Sequence, residues 1–319
     1  MISATMQSAC EHHLQRGAQG CLCCGSAELV KTASVVSPFL ASRAWGGEPE
    51  PTALYFCVNC GFRFYARGIT MEEAARYYTN YHDEEYYRLR NHFEPFYTRK
   101  VHMGTHAWMS QADRHHALWQ ILRPANAPEF FRSALDYGGG SGFMLECVNA
   151  ARKAVFDLSG ETPVIGMEVF SCRENIQETW ELLLSSHVLE HLSDPLDHLR
   201  DIASLLEPNG WVYAEVPSQH WKNYSAPLAM QEAWIRWLCG KPWMLKAWDV
   251  LSTGVRVKLG KLPPFGFVPM REHVNFFTAD ALRNLLSRAG FQVVHQGRNP
   301  EGNHCIVARS KVAQPDRAQ

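Results

Sequence analysis

Apolar residues in the carboxyl-terminal two thirds of the chain follow two alternating patterns. Short continuous apolar runs that end in polar or glycine-rich turns are typical of buried strands, and apolar residues spaced by three and four positions are typical of helices. The continuous runs predict strands over residues 163–168, 180–186 and 211–217, and a closing hairpin of 291–294 with 305–308. The wider spacing and its stop signals predict helices over residues 141–154, 196–206 and 279–289.

A glycine-rich stretch follows the first predicted strand, Leu135-Asp136-Tyr137-Gly138-Gly139-Gly140-Ser141-Gly142. An acid closes the apolar run, and glycines then occupy alternate positions. Glycine has no side chain and reaches backbone angles that other residues avoid, so a ligand can lie against the main chain. A turn between a strand and a helix also offers N–H groups at the positive end of the helix dipole. The stretch predicts a nucleoside or nucleotide cofactor site, and the alternative is a glycine-rich surface turn.

Polar residues close the later predicted strands. Glu168 ends the predicted second strand, where an acid can accept hydrogen bonds from both hydroxyls of a ribose. Ser186 and His187 end the fourth strand. Glu190 and His191 follow in a turn, and because adjacent residues on a turn do not face one way, we interpret this pair as structural.

Taken in order, these motifs resemble the class I S-adenosylmethionine (SAM)-dependent methyltransferases over about residues 126–310. The stretches that carry the resemblance are Leu-Asp-x-Gly-x-Gly-x-Gly, Ser-Ser-His-Val-Leu-Glu-His-Leu-x-Asp-Pro, Leu-x-Pro-Asn-Gly-Trp and Glu-Val-Pro-Ser. The resemblance implies an α/β fold, a Rossmann-like, doubly wound sheet of seven strands, with SAM across the carboxyl ends of the strands. A nicotinamide-dependent dehydrogenase could share the glycine loop, but its second strand is not followed by a Leu-Glu-His-Leu turn.

The resemblance also assigns cofactor-binding roles to individual residues. Three glycines are expected near the methionine part of SAM, Gly138, Gly140 and Gly142. Asp136 is expected behind the loop and Glu168 on the ribose, with Ser186 and His187 facing cofactor and substrate.

Composition limits the classes of partner. The 319 residues carry a formal net charge of −1, which argues against a strongly nucleic-acid-binding surface. No apolar run approaches the length that spans a bilayer. Residues 1–20 lack the long apolar core of a signal peptide, so we expect a cytoplasmic protein with a small-molecule substrate.

Four of the ten cysteines form two matched Cys-x-x-Cys-Gly knuckles, Cys21 with Cys24 and Cys57 with Cys60. Two such knuckles place four thiolates around one Zn²⁺, and the glycine lets the chain turn at the metal. Cys23 is an internal alternative ligand, but it does not copy the spacing of the second pair. A disulfide is disfavoured in a reducing compartment. A redox pair would need two pairs by coincidence. The knuckles therefore predict a structural zinc site.

These features divide the chain into predicted segments. Tails are expected at residues 1–20 and 311–319, a zinc-binding module at 21–66, a helical tyrosine-rich connector at 67–125, and the methyltransferase domain at 126–310 with a tryptophan-rich helical insertion at 218–270. Aromatic faces stack on sugars and bases, so our first interpretation of the insertion is a lid over an acceptor. An interfacial helix with weak membrane-surface contact and a dimer surface are the alternatives.

The zinc module and the Glu272-His273 pair resemble the zinc-containing sugar C-methyltransferases, which act on nucleotide-linked keto-sugars. The resemblance implies that Glu272, His273 and a tyrosine, either Tyr78 or Tyr81, line the substrate site. Methylation of a carbon beside a carbonyl needs a base and an oxyanion donor, which suit His273 and a tyrosine hydroxyl, with Glu272 either orienting the histidine or binding the substrate. Alternatively, His273 only binds backbone at a helix start. Met270 stands where that family has tyrosine.

Two competing functions remain open. Some RNA methyltransferases also join a zinc knuckle to this core, but the fourth strand lacks an Asn-Pro-Pro-Tyr motif. Only twelve residues separate Glu168 from Glu181, which is too few for the usual helix and strand. That short segment and Met270 favour, as a second alternative, an inactive binding or assembly subunit.

Overall fold

The computed structural model describes residues 16–17, 19–81, 83–109, 111–224 and 226–311. Most of the predicted tails, 1–20 and 311–319, lies outside the described residues, and so does Cys10. Only residues 16–17, 19–20 and 311 of these tails are described.

Strands and helices occur in both halves of the chain. The strands are β1 (Leu29–Val35), β2 (Pro51–Cys57), β3 (Arg63–Tyr65), β4 (Phe131–Tyr137), β5 (Ala150–Phe156), β6 (Glu168–Phe170), β7 (Trp180–Ser186), β8 (Leu206–Val216), β9 (Asn275–Phe276), β10 (Phe291–Arg298) and β11 (His304–Ser310). The main α-helices are α1 (Met71–Tyr78), α2 (Glu84–Phe93), α3 (Arg99–Met109), α4 (Ala112–Leu122), α5 (Pro195–Ser204), α6 (Leu228–Cys239), α7 (Pro242–Leu259) and α8 (Ala279–Arg288).

The described residues form two compact units. The first contains the residues up to Cys21 together with Gly25–His106 and Gln219–Phe276. The second contains Leu22–Cys24, Ala107–Ser218 and the residues from Phe277 onward. Residues 219–276, most of the predicted insertion, therefore belong to the same unit as the amino-terminal strands.

The second unit is built on a seven-stranded sheet in the order β10-β11-β8-β7-β4-β5-β6. The strands from β8 to β6 run parallel, and β10 and β11 run antiparallel to their neighbours. This strand order confirms the predicted class I methyltransferase sheet. Residues of β4, β7 and β8 pack in one core cluster with Leu118 and Ile121 of α4. The residues between them, including Leu135 and Leu183, are also buried, so both faces of the sheet are covered.

The expected helix at 141–154 is wrong. A single 3-10 turn, Phe143–Leu145, follows the glycine loop, and β5 begins at Ala150. The spacing of apolar residues across this window mixes a turn with a strand, and in so short a window periodicity does not separate helix from strand. The last three residues of β5 form a buried apolar run that pairs in parallel with β4.

The expected second strand at 163–168 is also wrong, because residues 163–167 form a loop and a turn. The second strand in the sheet is β5, and Glu168 is the first residue of β6, a three-residue edge strand. An edge strand this short needs no long connection to β7, which explains the twelve residues between Glu168 and Glu181. The predicted helices α5 and α8 and the predicted strands β7 and β8 are confirmed, as is the closing hairpin of β10 and β11.

The first unit contains a four-stranded sheet in the order β1-β2-β3-β9, antiparallel throughout. Helix α1 begins with a capping box, because the Thr70 side chain accepts from the Glu73 backbone while Glu73 accepts from the Thr70 backbone. Helices α6 and α7 form a helical pair whose buried residues pack with Ala33 and Val35 of β1. Within the residues that the structure describes, no helix combines the length and apolar character needed to cross a bilayer.

Candidate cofactor site

The glycine loop closes β4 at the carboxyl edge of the parallel strands. Gly138 and Gly142 have φ values of +83° and +78°, a region that side chains rarely adopt. A Cβ atom at Gly138 would lie 2.6 Å from Val188 Cγ2, and one at Gly142 would lie 2.5 Å from Met167 Sδ. Both positions therefore require glycine for conformation and for space.

Backbone N–H groups at alternate positions of this loop, those of Gly138, Gly140 and Gly142, have partners within the protein. Gly138 N donates to Phe156 O at 2.7 Å, and Gly142 N donates to Gly139 O at 2.9 Å. Because no α-helix follows the loop, the expected N–H groups at a helix amino terminus are absent here. The space beside these glycines is occupied by the side chains of Val188, Glu161 and Met167.

Asp136 lies beneath the loop and is 1% exposed. Neither carboxyl oxygen has a hydrogen-bond partner among the described residues. Burial raises the pKa of Asp136 to about 7, with Arg114 opposing the rise and Asp157 adding to it. A buried carboxyl group without partners is costly to the fold, so it marks this position as a candidate for binding a cationic or hydrogen-bonding ligand.

Asp157 follows the end of β5 directly, and the sequence interpretation did not consider it. Its Oδ2 accepts from Gly140 N at 2.8 Å, and its Oδ1 accepts from Ser159 N at 2.6 Å. Glu168 instead lies on the edge strand, about two fifths exposed, where Arg152 binds its carboxylate at 2.7 Å. The signal for Asp157 was present in the sequence, because Ala154-Val155-Phe156-Asp157 is an apolar run closed by an acid, as Ala134-Leu135-Asp136 is.

Ser186 and His187 meet a buried carboxylate at the ends of β7 and β8. Ser186 Oγ donates to Glu215 Oε2 at 2.9 Å, and His187 Nε2 lies 3.4 Å from Glu215 Oε1. Three further groups donate to Glu215, namely Tyr213 OH at 2.9 Å, Asn299 Nδ2 at 2.6 Å and Asn303 Nδ2 at 2.8 Å. Glu215 therefore joins β7, β8 and the turn before β11.

The charges of this cluster are coupled. Burial lowers the pKa of His187, but hydrogen bonds to Glu190 and Glu215 outweigh it and raise that pKa to about 9. Burial raises the pKa of Glu215, but His187 and the donors around it lower it to about 2. His187 Nδ1 lies 3.2 Å from Glu190 Oε1. At neutral pH His187 is therefore favoured as a cation beside the Glu215 carboxylate, a state that does not suit a general base.

Trp108 and Arg114 contribute a second set of contacts that sequence reasoning did not identify. The Trp108 ring meets His187 edge to face, with centroids 5.0 Å apart, and its Nε1 donates to Glu301 at 2.8 Å. The Arg114 guanidinium lies 4.4 Å from the Trp108 ring centroid. No sequence motif marks these residues, because they come from helices that precede the sheet.

The four residues predicted to be catalytic belong to the first unit. Glu272 Oε1 accepts from Arg90 Nη2 at 2.8 Å, and His273 Nδ1 lies 3.2 Å from Gln219 Nε2. Burial raises the pKa of Glu272, but Arg90 and His273 hold it far below its usual range. Tyr78 and Tyr81 form an edge-to-face pair with centroids 5.1 Å apart. Tyr81 lies close enough to Glu272 for its charge to help raise the tyrosine pKa, although burial is the main cause.

The predicted metal ligands Cys21, Cys24, Cys57 and Cys60 come together. Their Sγ atoms all lie within 4.8 Å of one another, and those of Cys21 and Cys60 are 3.6 Å apart. None of the cysteines that the structure describes is in a disulfide. Four thiols at this separation suit one tetrahedral Zn²⁺, so this donor set could hold the metal.

Comparisons with known proteins place these geometries in a family. A family model described as a methyltransferase domain matches residues 106–296, more than half of the chain. Ubiquinone biosynthesis O-methyltransferase of Nitrobacter winogradskyi is 24% identical over 161 residues, which cover 42% of this chain and 60% of that protein. The chain thus spans less than two thirds of the length of this curated relative.

Two solved structures are among the similar ones. The 1,6-didemethyltoxoflavin-N1-methyltransferase of Burkholderia thailandensis, bound to 1,6-didemethyltoxoflavin and S-adenosylhomocysteine, is 18% identical, with 67% of this chain and 84% of that chain covered and a TM-score of 0.40. The N-methyltransferase NodS of Bradyrhizobium japonicum, in complex with S-adenosylhomocysteine, is 13% identical, with 72% and 94% covered and a TM-score of 0.36. The domain match, together with the strand order of the second unit, leads to one conclusion: this chain belongs to the methyltransferase domain family and has the class I methyltransferase fold.

Proposed function

We propose that the protein is a SAM-dependent methyltransferase that acts on a small-molecule acceptor. The observation that carries the proposal is the glycine loop at the end of β4, with a buried acid beneath it and a second acid beside it. Asp136 supplies an unpartnered buried carboxyl group, and Asp157 stands at the end of the neighbouring strand. The turn itself requires glycine at Gly138 and Gly142, because of their positive φ values and the close packing of Val188 and Met167.

The cofactor supplies an electrophilic methyl group on a positively charged sulfur. Gly138, Gly140 and Gly142 give its methionine part room against the backbone. Asp157, in place of Glu168, accepts hydrogen bonds from the ribose hydroxyls, because it occupies the end of the second strand.

For the acceptor, we propose a nucleotide-linked sugar or a related precursor. Support comes from the first unit, where the Arg90–Glu272 ion pair lies among buried tyrosines that include Tyr77 and Tyr86. In this proposal His273 removes the acceptor proton, a tyrosine hydroxyl from Tyr78 or Tyr81 donates to the oxyanion, and Glu272 remains ionised and orients the site. Zn²⁺ on the four cysteines is structural.

Calorimetric titration with S-adenosylhomocysteine tests the cofactor site. Gly140→Val is expected to abolish binding, because Gly140 has a φ of +56° and a Cβ there would lie 2.8 Å from the Glu161 carboxylate. Asp157→Asn keeps an acceptor for Gly140 N but loses the charge, so binding should weaken roughly 10- to 100-fold. Glu168→Gln is the matched control, because this acid already pairs with Arg152, and it should bind within about twofold of the wild type.

The outcomes separate the parts of the proposal. Failure of the wild-type protein to bind S-adenosylhomocysteine, or an unchanged affinity in Gly140→Val, would overturn the cofactor site. A larger loss in Glu168→Gln than in Asp157→Asn would return the ribose to Glu168. His273→Ala should keep cofactor affinity and lose turnover of a keto-sugar nucleotide, and normal turnover in this variant would remove His273 as the base.

A further inference from the structure

Helix α7 has a buried inner face and an exposed outer face that is apolar. Leu245, Asp249 and Ser252 are buried on the inner face, where Asp249 is paired with Arg271. Half a helical turn away, five uncharged residues share one stripe with a spacing of three and four, Trp243, Ala247, Val250, Gly254 and Val257. All five are exposed, with 71% of Trp243 and 72% of Val257 accessible. A surface helix of a globular protein normally carries charged residues on this outer face.

Helix α6 repeats the arrangement. Ile235 and Leu238 are buried, while Met230, Ala233 and Trp237 are exposed on the opposite side. About half of the surfaces of Met230 and Trp237 is accessible, 51% and 46%. Two packed helices therefore both present apolar outer faces, and contiguous exposed apolar surface usually marks an interaction site.

Positive charge is concentrated around these faces. Residues 226–261 contain six lysines and arginines but only two acids, in a chain whose formal net charge is −1. Both acids are engaged in the first unit, Glu232 with Lys31 at 2.9 Å and Asp249 with Arg271 at 2.8 Å. Four exposed basic residues flank the stripes, Arg236, Lys241, Lys258 and Lys261.

We propose that the helical pair α6–α7 binds the surface of an anionic lipid membrane. The apolar stripes, with the indoles of Trp237 and Trp243, lie at the boundary of headgroups and acyl chains, and the flanking basic residues contact lipid phosphates. Indole rings favour this depth of a bilayer because they are amphipathic. A basic helix with an outer apolar face and aromatic residues is the pattern of an interfacial helix. This proposal corresponds to the interfacial helix that was one of the alternatives for the tryptophan-rich segment.

The charge distribution favours a membrane over a second copy of the chain. In a twofold dimer the same patch meets itself, so the flanking lysines of both copies would face each other. An anionic bilayer complements that charge, and each basic residue near such a surface adds to the attraction.

Sedimentation of the full-length protein with vesicles tests the proposal. Vesicles of phosphatidylcholine with phosphatidylglycerol should bind the protein at least about tenfold more tightly than phosphatidylcholine alone, and salt should weaken the binding. Trp243→Ser with Val257→Ser removes exposed apolar surface and should reduce binding at least about tenfold. Lys241→Glu with Lys258→Glu should reduce it by a similar factor on the anionic vesicles only.

The matched control is Met103→Ser in α3, which removes an apolar side chain that is 64% exposed in the same unit. This variant should bind vesicles as the wild type does. No binding to anionic vesicles at low salt would overturn the proposal, as would equal loss in the control. Light scattering without lipid provides the alternative outcome, because a dimer that the Trp243→Ser, Val257→Ser variant dissociates would assign these faces to a second copy of the chain.

Discussion

At the residue scale, the carboxyl group of Asp136 links the candidate cofactor site to the pH dependence of folding. Burial raises its pKa from 3.8 to about 7, against the charge of Arg114. A group whose pKa is higher in the folded state stabilises that state below its unfolded pKa, and this contribution is lost as pH rises through the folded pKa. The stabilising contribution of Asp136 to the free energy of unfolding should therefore decrease as the pH rises from about 4 to about 7.

Replacement of Asp136 by asparagine should remove this dependence. The free energy of unfolding is measured with urea at pH 5 and at pH 8 without cofactor. The decrease in this free energy from pH 5 to pH 8 should be smaller in Asp136→Asn than in the wild type by roughly 2 kcal/mol. Asp113→Asn, at an exposed aspartate of α4, is the control and should keep the wild-type difference. A wild-type difference in Asp136→Asn would mean that this carboxyl group is not the one that titrates.

The turn formed by the glycine loop was predictable because its signal is local. Asp136 and the glycines lie within eight residues, and each has a conformational or steric reason to be what it is. Glu168 was placed at the end of the second strand because residues 141–154 were predicted as a helix, whereas β5 lies within that window. Trp108 and Glu215 reach His187 from remote parts of the sequence, and nothing in their own neighbourhoods announces that contact.

At the scale of elements, each cysteine knuckle is a hydrogen-bonded turn. Cys57 N donates to Phe62 O at 2.8 Å and Gly61 N donates to Cys57 O at 2.9 Å, between β2 and β3. The other knuckle has Gly25 N donating to Cys21 O at 2.8 Å. A metal that joins both turns would therefore tie the segment before β1 to the β2–β3 hairpin.

We expect purified protein to contain about one zinc ion per chain, measured by mass spectrometry of the metal. Cys60→Ser should lose the zinc and unfold at a lower temperature, because metal binding at such a site contributes to folding directly. Cys23→Ser is the matched control, since Cys23 is equally buried and lies in the same knuckle but outside the group of four. Zinc retained in Cys60→Ser and lost in Cys23→Ser would contradict the ligand set.

Strands and helices whose apolar residues follow one clear spacing were predictable from the sequence. Those in which the spacing is mixed were not. β7 and β8 are buried apolar runs, and α8 buries four residues at helical spacing between a Thr278 cap and Gly290. β5 has exposed or half-buried residues in its first half and a buried run in its second, and its neighbour is a three-residue turn. The segment that contains this turn and β5 is too short for the spacing of its apolar residues to distinguish a helix from a strand.

At the scale of the whole molecule, the chain returns to its first unit after the parallel strands are complete. β9 pairs with β3, so that Arg63 lies opposite Phe276, more than two hundred residues away in the sequence. A linear division into modules cannot anticipate such a pairing, because neither two- nor three-residue strand carries a pattern of its own. Residues 219–276 therefore looked like an insertion into the methyltransferase domain, whereas they belong to the unit of the amino-terminal sheet.

Each unit has its own sheet and core. We therefore expect S-adenosylhomocysteine and Zn²⁺ to stabilise different parts of the chain. S-adenosylhomocysteine at 100 times its Kd should add about 2.7 kcal/mol to the stability of whatever unfolds with its site. In hydrogen exchange followed by mass spectrometry, peptides from β4, β5 and β7 should then slow. Removal of zinc with a chelator should speed exchange in β2 and β3.

The controls are the site variants themselves. Gly140→Val should abolish the slowing in β4 and β5 and leave the response to the chelator intact, and Cys60→Ser should show fast exchange in β2 and β3 without any chelator. Slowing by S-adenosylhomocysteine that is strongest in β1 to β3 would contradict the assignment of the cofactor to the glycine loop. Uniform slowing over both sheets would instead mean that the units unfold together, so that stability gained at the loop is shared by the zinc-binding turns.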